Sequence, residues 1–371
     1  MSGFGPDALP YGVDDGGHTV VAWGDEVVDL TRLTGLDVDP EVFSAGSLRP
    51  FMELGADAWA ATRRQLMDLV PAAPPDARRP RSAVRLVLPW EVGDYADFYA
   101  SRQHVTNMGR MLRPGEDPLP PAWLHLPIGY HGRSGTVIVS GEPVYRPSGL
   151  IPGDPQPRYA PTGRLDVEVE LGFVVGAPVA RGQVIGAADA ERHIFGVVLV
   201  NDWSARDIQA FEYRPLGPFL GKSFATSVSP WVLPLAALDP WRVDGPVQDP
   251  EPAPYLKTAE PRNFDIRLRL SVNGAALSTT TSAGLYWSAS QQLAHLTANG
   301  AGVRVGDLFA TGTISGDQPR TEGSLMELGG GSMWLADGDV VTIEGWCGDP
   351  GGDRWISLGE LSAEVRPCPS T

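Results

Sequence analysis

The sequence predicts a mainly β protein, a mixed roll or sandwich with peripheral helices, and three observations carry that expectation. Alternating or continuously apolar runs recur along the chain, among them TVIVSGEPVY, LDVEVELGFVVG, HIFGVVLV, FDIRLRLSVNG, DLFATGTI and DVVTIEGW. Such runs, bounded by turn residues, are the pattern of half-buried or buried strands. The 44 glycines and 35 prolines are spread without a short period, which suits many tight turns and excludes collagen-like and solenoid arrays. Helical periodicity is confined to a few segments, whereas a doubly wound parallel sheet requires a helix between most strands.

From the N-terminus, YGVDDGGHTVVAWGDEVVDLTRL reads as two short strands with glycine-rich turns. Residues 51–70 read as an amphipathic helix, with Trp59, Leu66 and Leu69 apolar between Arg63, Arg64 and Asp68. The stretch PAAPPDARRPRS, residues 71–82, has the composition of an exposed linker and sets a boundary near residue 88, dividing 1–88 from 89–371. Helices are expected at 100–111, 187–191 and 288–299. The run IFGVVLV, residues 194–200, reads as a buried strand that stops at Asn201 and Asp202. Arg206, Asp207, Gln209, Glu212, Tyr213, Arg214 and Lys222 follow closely. Polar groups of every hydrogen-bonding type at the end of a core strand suit a catalytic floor, and equally a solvated surface turn.

A formal net charge of −16 over 371 residues argues against nucleic acid or an anionic membrane as the main partner. Cys347 and Cys368, the two cysteines, fit no metal or redox spacing and point to a reducing compartment. The opening MSGFGPDALPYG lacks a basic region followed by an apolar run, and no segment has the length and apolarity of a membrane span. A cytoplasmic protein is expected. Gly300, Gly302 and Gly306 lack the strand-turn-helix context of a dinucleotide site, and GTISG (residues 312–316) lacks the spacing of a nucleophile elbow.

Hard oxygen ligands are the recurring chemistry. In LDVEVELGF, strand alternation puts Asp166, Glu168 and Glu170 on one face. Such a face is either solvated or holds a cation, and the apolar residues 173–175 that follow favour burial. Asp97, Glu168, Glu170 and Asp202 form a candidate carboxylate cage, suited to calcium, or to magnesium with waters completing an octahedron. No cysteine or HxxxH pair suggests zinc. The spacing leaves open whether the four meet. In DYADFYASRQHVTNMGRMLR, a helix starting near Asp97 would put His104 on the same face as Asp97 and Ser101. Among Tyr99, Arg102 and Arg113, His104 is the best candidate for a general base. His18, His125, His193 and His295 read as structural, and His131 is left open.

Six blocks carry a resemblance to a known family. They are DYADFYASRQHVTNMGRMLR, WLHLPIGYHGRSGTVIVSGEPV, LDVEVELGF, the long block from HIFGVVLVNDW to PLAAL, QDPEPAPYL, and LFATGTISG followed by GSLMEL. Running in order from Asp94 to Leu328, they resemble the fumarylacetoacetate hydrolase family. The QDPEPAPYL block and the long N-terminal part are more similar to its long members than to the shorter acylpyruvate hydrolases and hydratase-like proteins. The resemblance implies a small N-terminal β-barrel joined to a larger catalytic β-roll, assembled as a homodimer. It implies cleavage of a dicarboxylate diketone, 4-fumarylacetoacetate, to fumarate and acetoacetate, the closing step of tyrosine and phenylalanine breakdown.

Carried over residue by residue, the resemblance assigns Asp97, Glu168, Glu170 and Asp202 to a divalent cation, calcium and/or magnesium. It adds a magnesium-type position touching Asp202, Lys222 and Thr226. His104 would be the general base, oriented by Glu327, with Arg206, Lys222 and Gln209 near the reacting oxygens. Substrate contacts would fall on Tyr99, Arg113, Tyr130, Gln209, Tyr213 and Thr313. Ala210 and Phe211 depart from the usual Lys-Trp after Gln209, and the segment after Leu328 is shorter than in animal members. Two rivals are distinguishable. A calcium-binding structural protein would leave Arg113, Lys222 and His104 without a purpose, and an acylpyruvate hydrolase would lack the His104–Glu327 pair.

Overall fold

The structure is a computed structural model that describes residues 3–350, 352 and 354–369. The observed class is the expected one: mainly β, with a small N-terminal half-barrel sheet, a larger mixed β region and peripheral helices. The N-terminal sheet runs in the order Arg78–Pro80, Glu26–Asp29, Thr19–Trp23, Tyr11–Asp14, Leu86–Val87. Its first segment forms three strands where two were expected, because Gly24 and Asp25 make a two-residue hairpin turn with Trp23 opposite Glu26. The proline-rich stretch is no free linker. Arg78–Pro80 pairs with Glu26–Val28 at the sheet edge, where a proline lacking a donor is tolerated. Arg78 also ties Glu26 to the carbonyls of Val70, Pro71 and Ala73.

The expected 51–70 helix is split into Arg49–Met52 and Ala56–Leu69. The break falls at Gly55, whose φ of 86° lies in the left-handed region that favours glycine. The 100–111 helix begins two residues late, as Arg102–Leu112, because the Ser101 hydroxyl caps the backbone N–H of His104. Asp97 therefore lies on a strand, Tyr95–Phe98, and not on the helix of His104. Ala187–Ala190 and Ala289–Thr297 are helical as expected, the latter closed by a capping box between Ser288 and Gln291. No helix among the described residues is long and apolar enough to cross a membrane.

The central sheet carries the site. Its order is Gly129–His131, Tyr95–Phe98, Leu308–Ala310, Val169–Val175, Ile194–Asp202, Thr226–Val228, Val137–Val139. The Val169–Val175 and Ile194–Asp202 strands are buried throughout, which is why they read as continuous apolar runs. Alternation divides them between two cores. Val169, Leu171, Phe173, Val197 and Leu199 pack with Leu268, Leu270, Ile343, Leu358 and Leu361 of a C-terminal sheet. Val174, Val198 and Val200 pack with Tyr11, Val13, Val28, Phe51 and Leu66 of the N-terminal part. Each such side chain contributes about 1.5–3 kcal/mol on burial.

This register fixes the chemistry. Glu170 pairs with Val200, Asp202 with Thr226, and Asp97 with Ala310 and Tyr130. Glu170, Asp202, Asp97, Thr226 and Tyr130 thus project from the face that carries Val198 and Val200. A one-residue slip would turn the carboxylates into the C-terminal core. Gly312 closes this arrangement: its N–H donates to Asp97 Oδ1 at 3.0 Å, its φ is 73°, and an added Cβ would collide with the Phe98 carbonyl. Gly312→Ala is therefore expected to lose at least about 1–3 kcal/mol of stability in urea unfolding. A wild-type midpoint would contradict the constraint described for this turn.

Candidate active site

Four buried carboxylates meet at the ends of the central strands. Asp97, Glu168, Glu170 and Asp202 each offer an oxygen such that all four lie within 4.8 Å of one another. The acidic segment that places two of them is not one continuous strand. Leu165–Asp166 pairs with Ser204–Ala205, whereas Val169–Val175 belongs to the central sheet, and Glu168 between them bridges to Ser324. That break turns Asp166 out of the group, although alternation puts it on the same face.

The electrostatics of the cluster are asymmetric. Burial works against ionisation of Glu168, but the Arg206 and Lys222 cations outweigh it and hold its carboxyl below the usual range. Arg206 Nη2 lies 2.7 Å from Glu168 Oε1, and the Lys222 ammonium bonds Glu168 Oε2. Asp97 and Glu170 feel the Lys222 charge too, but it does not prevail there. Burial, followed by the charges of neighbouring carboxylates, pushes both well above the usual carboxylate range. Neither oxygen of Glu170 has a hydrogen-bond partner among the described residues. A buried, unpartnered carboxylate between two others is the chemistry of a site for a hard divalent cation.

Lys222 and Thr226, expected at a second magnesium-type position, both act as donors to Asp202. Lys222 Nζ is 2.6 Å from Asp202 Oδ2, and the Thr226 hydroxyl donates to Oδ1 at 3.0 Å. Burial opposes the charge on Lys222, but Asp202 and Glu168 raise its pKa above the usual value. A protonated amine has no lone pair for a metal, so Lys222 stands beside the cage as a cation of its own. The Tyr130 hydroxyl completes the shell of Asp202, donating to Oδ2 at 2.6 Å.

His104 lies at the other side of Glu168. Its Nδ1 is 2.7 Å from Glu327 Oε2, and its Nε2 points toward Glu168 Oε1 at 3.9 Å. Glu327 also accepts from Asn107 Nδ2 at 2.8 Å, Ser315 Oγ at 3.0 Å and Ser324 Oγ at 2.8 Å. Burial works against ionisation of Glu327, but His104, with Asn107 and Ser324, holds its carboxyl below the usual range. Asn107, Ser315 and Ser324 escaped sequence reasoning. Two signals were present: Asn107 follows His104 by three residues on one helix, and Ser324-x-x-Glu327 has the spacing of a capping box.

The remaining candidates divide into two groups. Tyr99 stacks edge-on against the His104 ring at 5.3 Å, and the Thr313 hydroxyl is buried without a partner among the described residues. Arg206 Nη1 donates to Gln209 Oε1 at 3.1 Å, joining Gln209 to the cluster. Arg113 sits at the end of its helix with Nη2 on the Pro118 carbonyl at 3.0 Å, and Tyr213 takes a hydrogen bond from Arg214 Nε at 2.7 Å. Neither of these two touches the carboxylates. Beside Asp202 opens a cavity of about 200 Å³ lined by Tyr95, Tyr130, Arg133, Phe219 and Lys222. Among the histidines read as structural, His18 pairs with Asp29, His193 with the Ala177 carbonyl and His295 with the Tyr255 hydroxyl.

Comparison with known proteins identifies the family. Residues 94–366 match the family model described as fumarylacetoacetate (FAA) hydrolase C-terminal, and residues 7–89 match fumarylacetoacetase N-terminal. The chain is 43% identical to the fumarylacetoacetase of Homo sapiens over 401 residues, covering 97% of this chain and 95% of the human protein. It is 41% identical to the fumarylacetoacetase of Rattus norvegicus, with the same coverage of 97% and 95%. The fold is shared with a solved fumarylacetoacetate hydrolase from the psychrophilic Exiguobacterium antarcticum at TM-score 0.61 and 19% identity, over 97% of this chain and 99% of that one. The chain belongs to the fumarylacetoacetate hydrolase family of enzymes.

Proposed function

We propose that this hydrolase cleaves the carbon–carbon bond of 4-fumarylacetoacetate, giving fumarate and acetoacetate. The observation that carries this reading is the His104–Glu327 pair, whose free Nε2 faces the carboxylate cage through Glu168. The high identity to fumarylacetoacetases across nearly the whole chain supports the same substrate. The setting is a cytoplasmic homodimer, with residues 1–88 and 89–371 as its two domains, at the closing step of tyrosine and phenylalanine breakdown.

The residues divide the work. Asp97, Glu168, Glu170 and Asp202 would hold a calcium or magnesium ion, which when bound would supply Lewis-acid chemistry toward the substrate's oxygens. His104 Nε2 takes a proton from water, and Glu327, bonded to Nδ1, fixes the tautomer and stabilises the imidazolium that forms. The water oxygen bonds to the carbonyl carbon on the fumaroyl side. Arg206, Lys222 and the amide of Gln209 meet the resulting oxyanion; Arg206 and Lys222 are already locked in place by carboxylates, so little reorganisation is required. Collapse of the oxyanion breaks the carbon–carbon bond. Its electron pair passes to acetoacetate as an enolate, which takes up the proton held at His104 Nε2, returning the imidazole to its starting form. Tyr99, Tyr130, Tyr213, Thr313 and Arg113 line the path of the substrate. Arg113, released from the Pro118 carbonyl, offers a planar fork to a carboxylate.

Substrate identity is tested by following the loss of diketone absorbance, with fumarate and acetoacetate quantified as products. The kcat/KM for 4-fumarylacetoacetate is expected to exceed that for acetylpyruvate by at least about a hundredfold, since a pocket with groups committed to a second carboxylate rejects a substrate lacking it. Equal or reversed preference would assign the chain to acylpyruvate hydrolysis. The base is tested by a double-mutant cycle. His104→Ala should lower kcat by on the order of a hundredfold to ten-thousandfold. Glu327→Gln should cost less, because the imidazole remains, and the double variant should be little worse than His104→Ala. Losses that multiply would give Glu327 a separate task.

A further inference from the structure

Asp166 lies within the site and performs none of the tasks assigned above. It is fully buried, and both of its oxygens are committed. Oδ2 accepts from Arg206 Nε and lies 2.8 Å from Arg206 Nη2. Oδ1 accepts backbone N–H groups from Val167 at 2.9 Å, Leu325 at 2.8 Å and Met326 at 3.3 Å. No lone pair is left for a metal or a substrate. Asp166 therefore joins two elements that are distant in sequence: the Arg206 guanidinium and the first turn of the Leu325–Leu328 helix.

That helix is a single turn of four residues carrying Glu327. One turn cannot hold itself, because nucleating a helix fixes several dihedrals for one internal hydrogen bond. Its leading N–H groups have no intrahelical acceptor and must find one elsewhere. Leu325 and Met326 find Asp166, and Glu327 N–H finds the Ser324 hydroxyl at 3.3 Å. The direction in which Glu327 meets His104 thus depends on a carboxylate whose other oxygen is clamped by Arg206.

We propose that Asp166 is a positioning residue that sets the Glu327 turn and the Arg206 guanidinium in one register. The general base and the oxyanion donor are thereby aligned on the same substrate atoms. The inference rests on the roles proposed above for Arg206 and Glu327. A carboxylate is required because it accepts at both oxygens, whereas an amide satisfies one arm and presents an N–H donor to the other.

The test is Asp166→Asn, read by four measurements on the purified full chain. Thermal melting and calcium binding by calorimetry report fold and cage, and both should stay near wild type. Steady-state kinetics should show kcat lowered by on the order of tenfold to a hundredfold, with KM changed less, the signature of a misaligned reacting geometry. Proton NMR should show the far-downfield His104 Nδ1–H signal shifted or lost. A merely structural role would lower the melting temperature without moving that signal. In a Glu327→Gln background the added kcat loss should shrink, because the two residues act as a unit. A wild-type signal together with wild-type kcat would overturn the proposal, as would a kcat loss that multiplies in full with Glu327→Gln. If Asp166→Asn fails to fold, Asp166→Glu keeps the charge and shifts it by one methylene, with the same readouts and the same contrary outcomes. The NMR signal requires no substrate. Absent turnover of fumarylacetoacetate by wild type would therefore sink the functional reading and leave the positioning test intact.

Discussion

The constraint on which the rest of this structure depends is the convergence of four buried carboxylates at the ends of the central strands. Like charges at such separations in a water-poor setting cannot all remain ionised without cations close by. Arg206 and Lys222 answer for Glu168 and Asp202, whereas at Asp97 and Glu170 the pull of Lys222 is outweighed by burial and the neighbouring carboxylates. The protein commits heavy packing to this arrangement: a hydrophobic sheet on each side of the strands that bear Glu170 and Asp202. A fold could discard such charges at no cost to its core. Retaining them, with Glu170 left without a donor, makes sense when a divalent cation is the missing partner.

The duties proposed for these residues follow from how that charge is distributed. Glu168 is the hinge between two halves of the site, facing Arg206 and Lys222 on one side and His104 Nε2 on the other. The half containing His104 has its own anion, Glu327, which is surrounded by donors and stays ionised without help from the cage. The proposed base and the proposed cation site are therefore supported by distinct networks, which meet at Glu168 and again through Asp166 and Arg206. Loss of one need not dismantle the other, a separation that allows kinetic and metal-binding effects to be told apart.

Much of this was legible in the amino-acid order. The strand runs, the carboxylates of the cage and His104 could be read from alternation, ligand type and family resemblance, because period-two patterning and hard-oxygen chemistry are local properties. What could not be read was tertiary. Asp97 was expected on the His104 helix, but Ser101 delays that helix and leaves Asp97 on a strand beside Ala310. Asp166 looked equivalent to Glu168 and Glu170 until a break in the strand turned it to Arg206. The 71–82 stretch has a linker's composition, yet Arg78 finds backbone acceptors that composition cannot reveal. Lys222 was grouped with the metal-site residues, and its spacing in sequence does not reveal the two carboxylates its ammonium bonds.

The most direct test of the account is the stoichiometry of cation binding to Glu170→Gln compared with wild type, measured by calorimetry with calcium and with magnesium. Glu170 is chosen because no donor among the described residues bonds its carboxylate, so its charge can be removed without leaving a donor unpaired. The account predicts that the wild-type chain binds a divalent cation, and that Glu170→Gln weakens this binding by at least about tenfold while melting no lower than the metal-free wild type. If the wild-type chain binds no divalent cation, or if Glu170→Gln binds it equally well, the four carboxylates are held together for some other reason and the central claim fails.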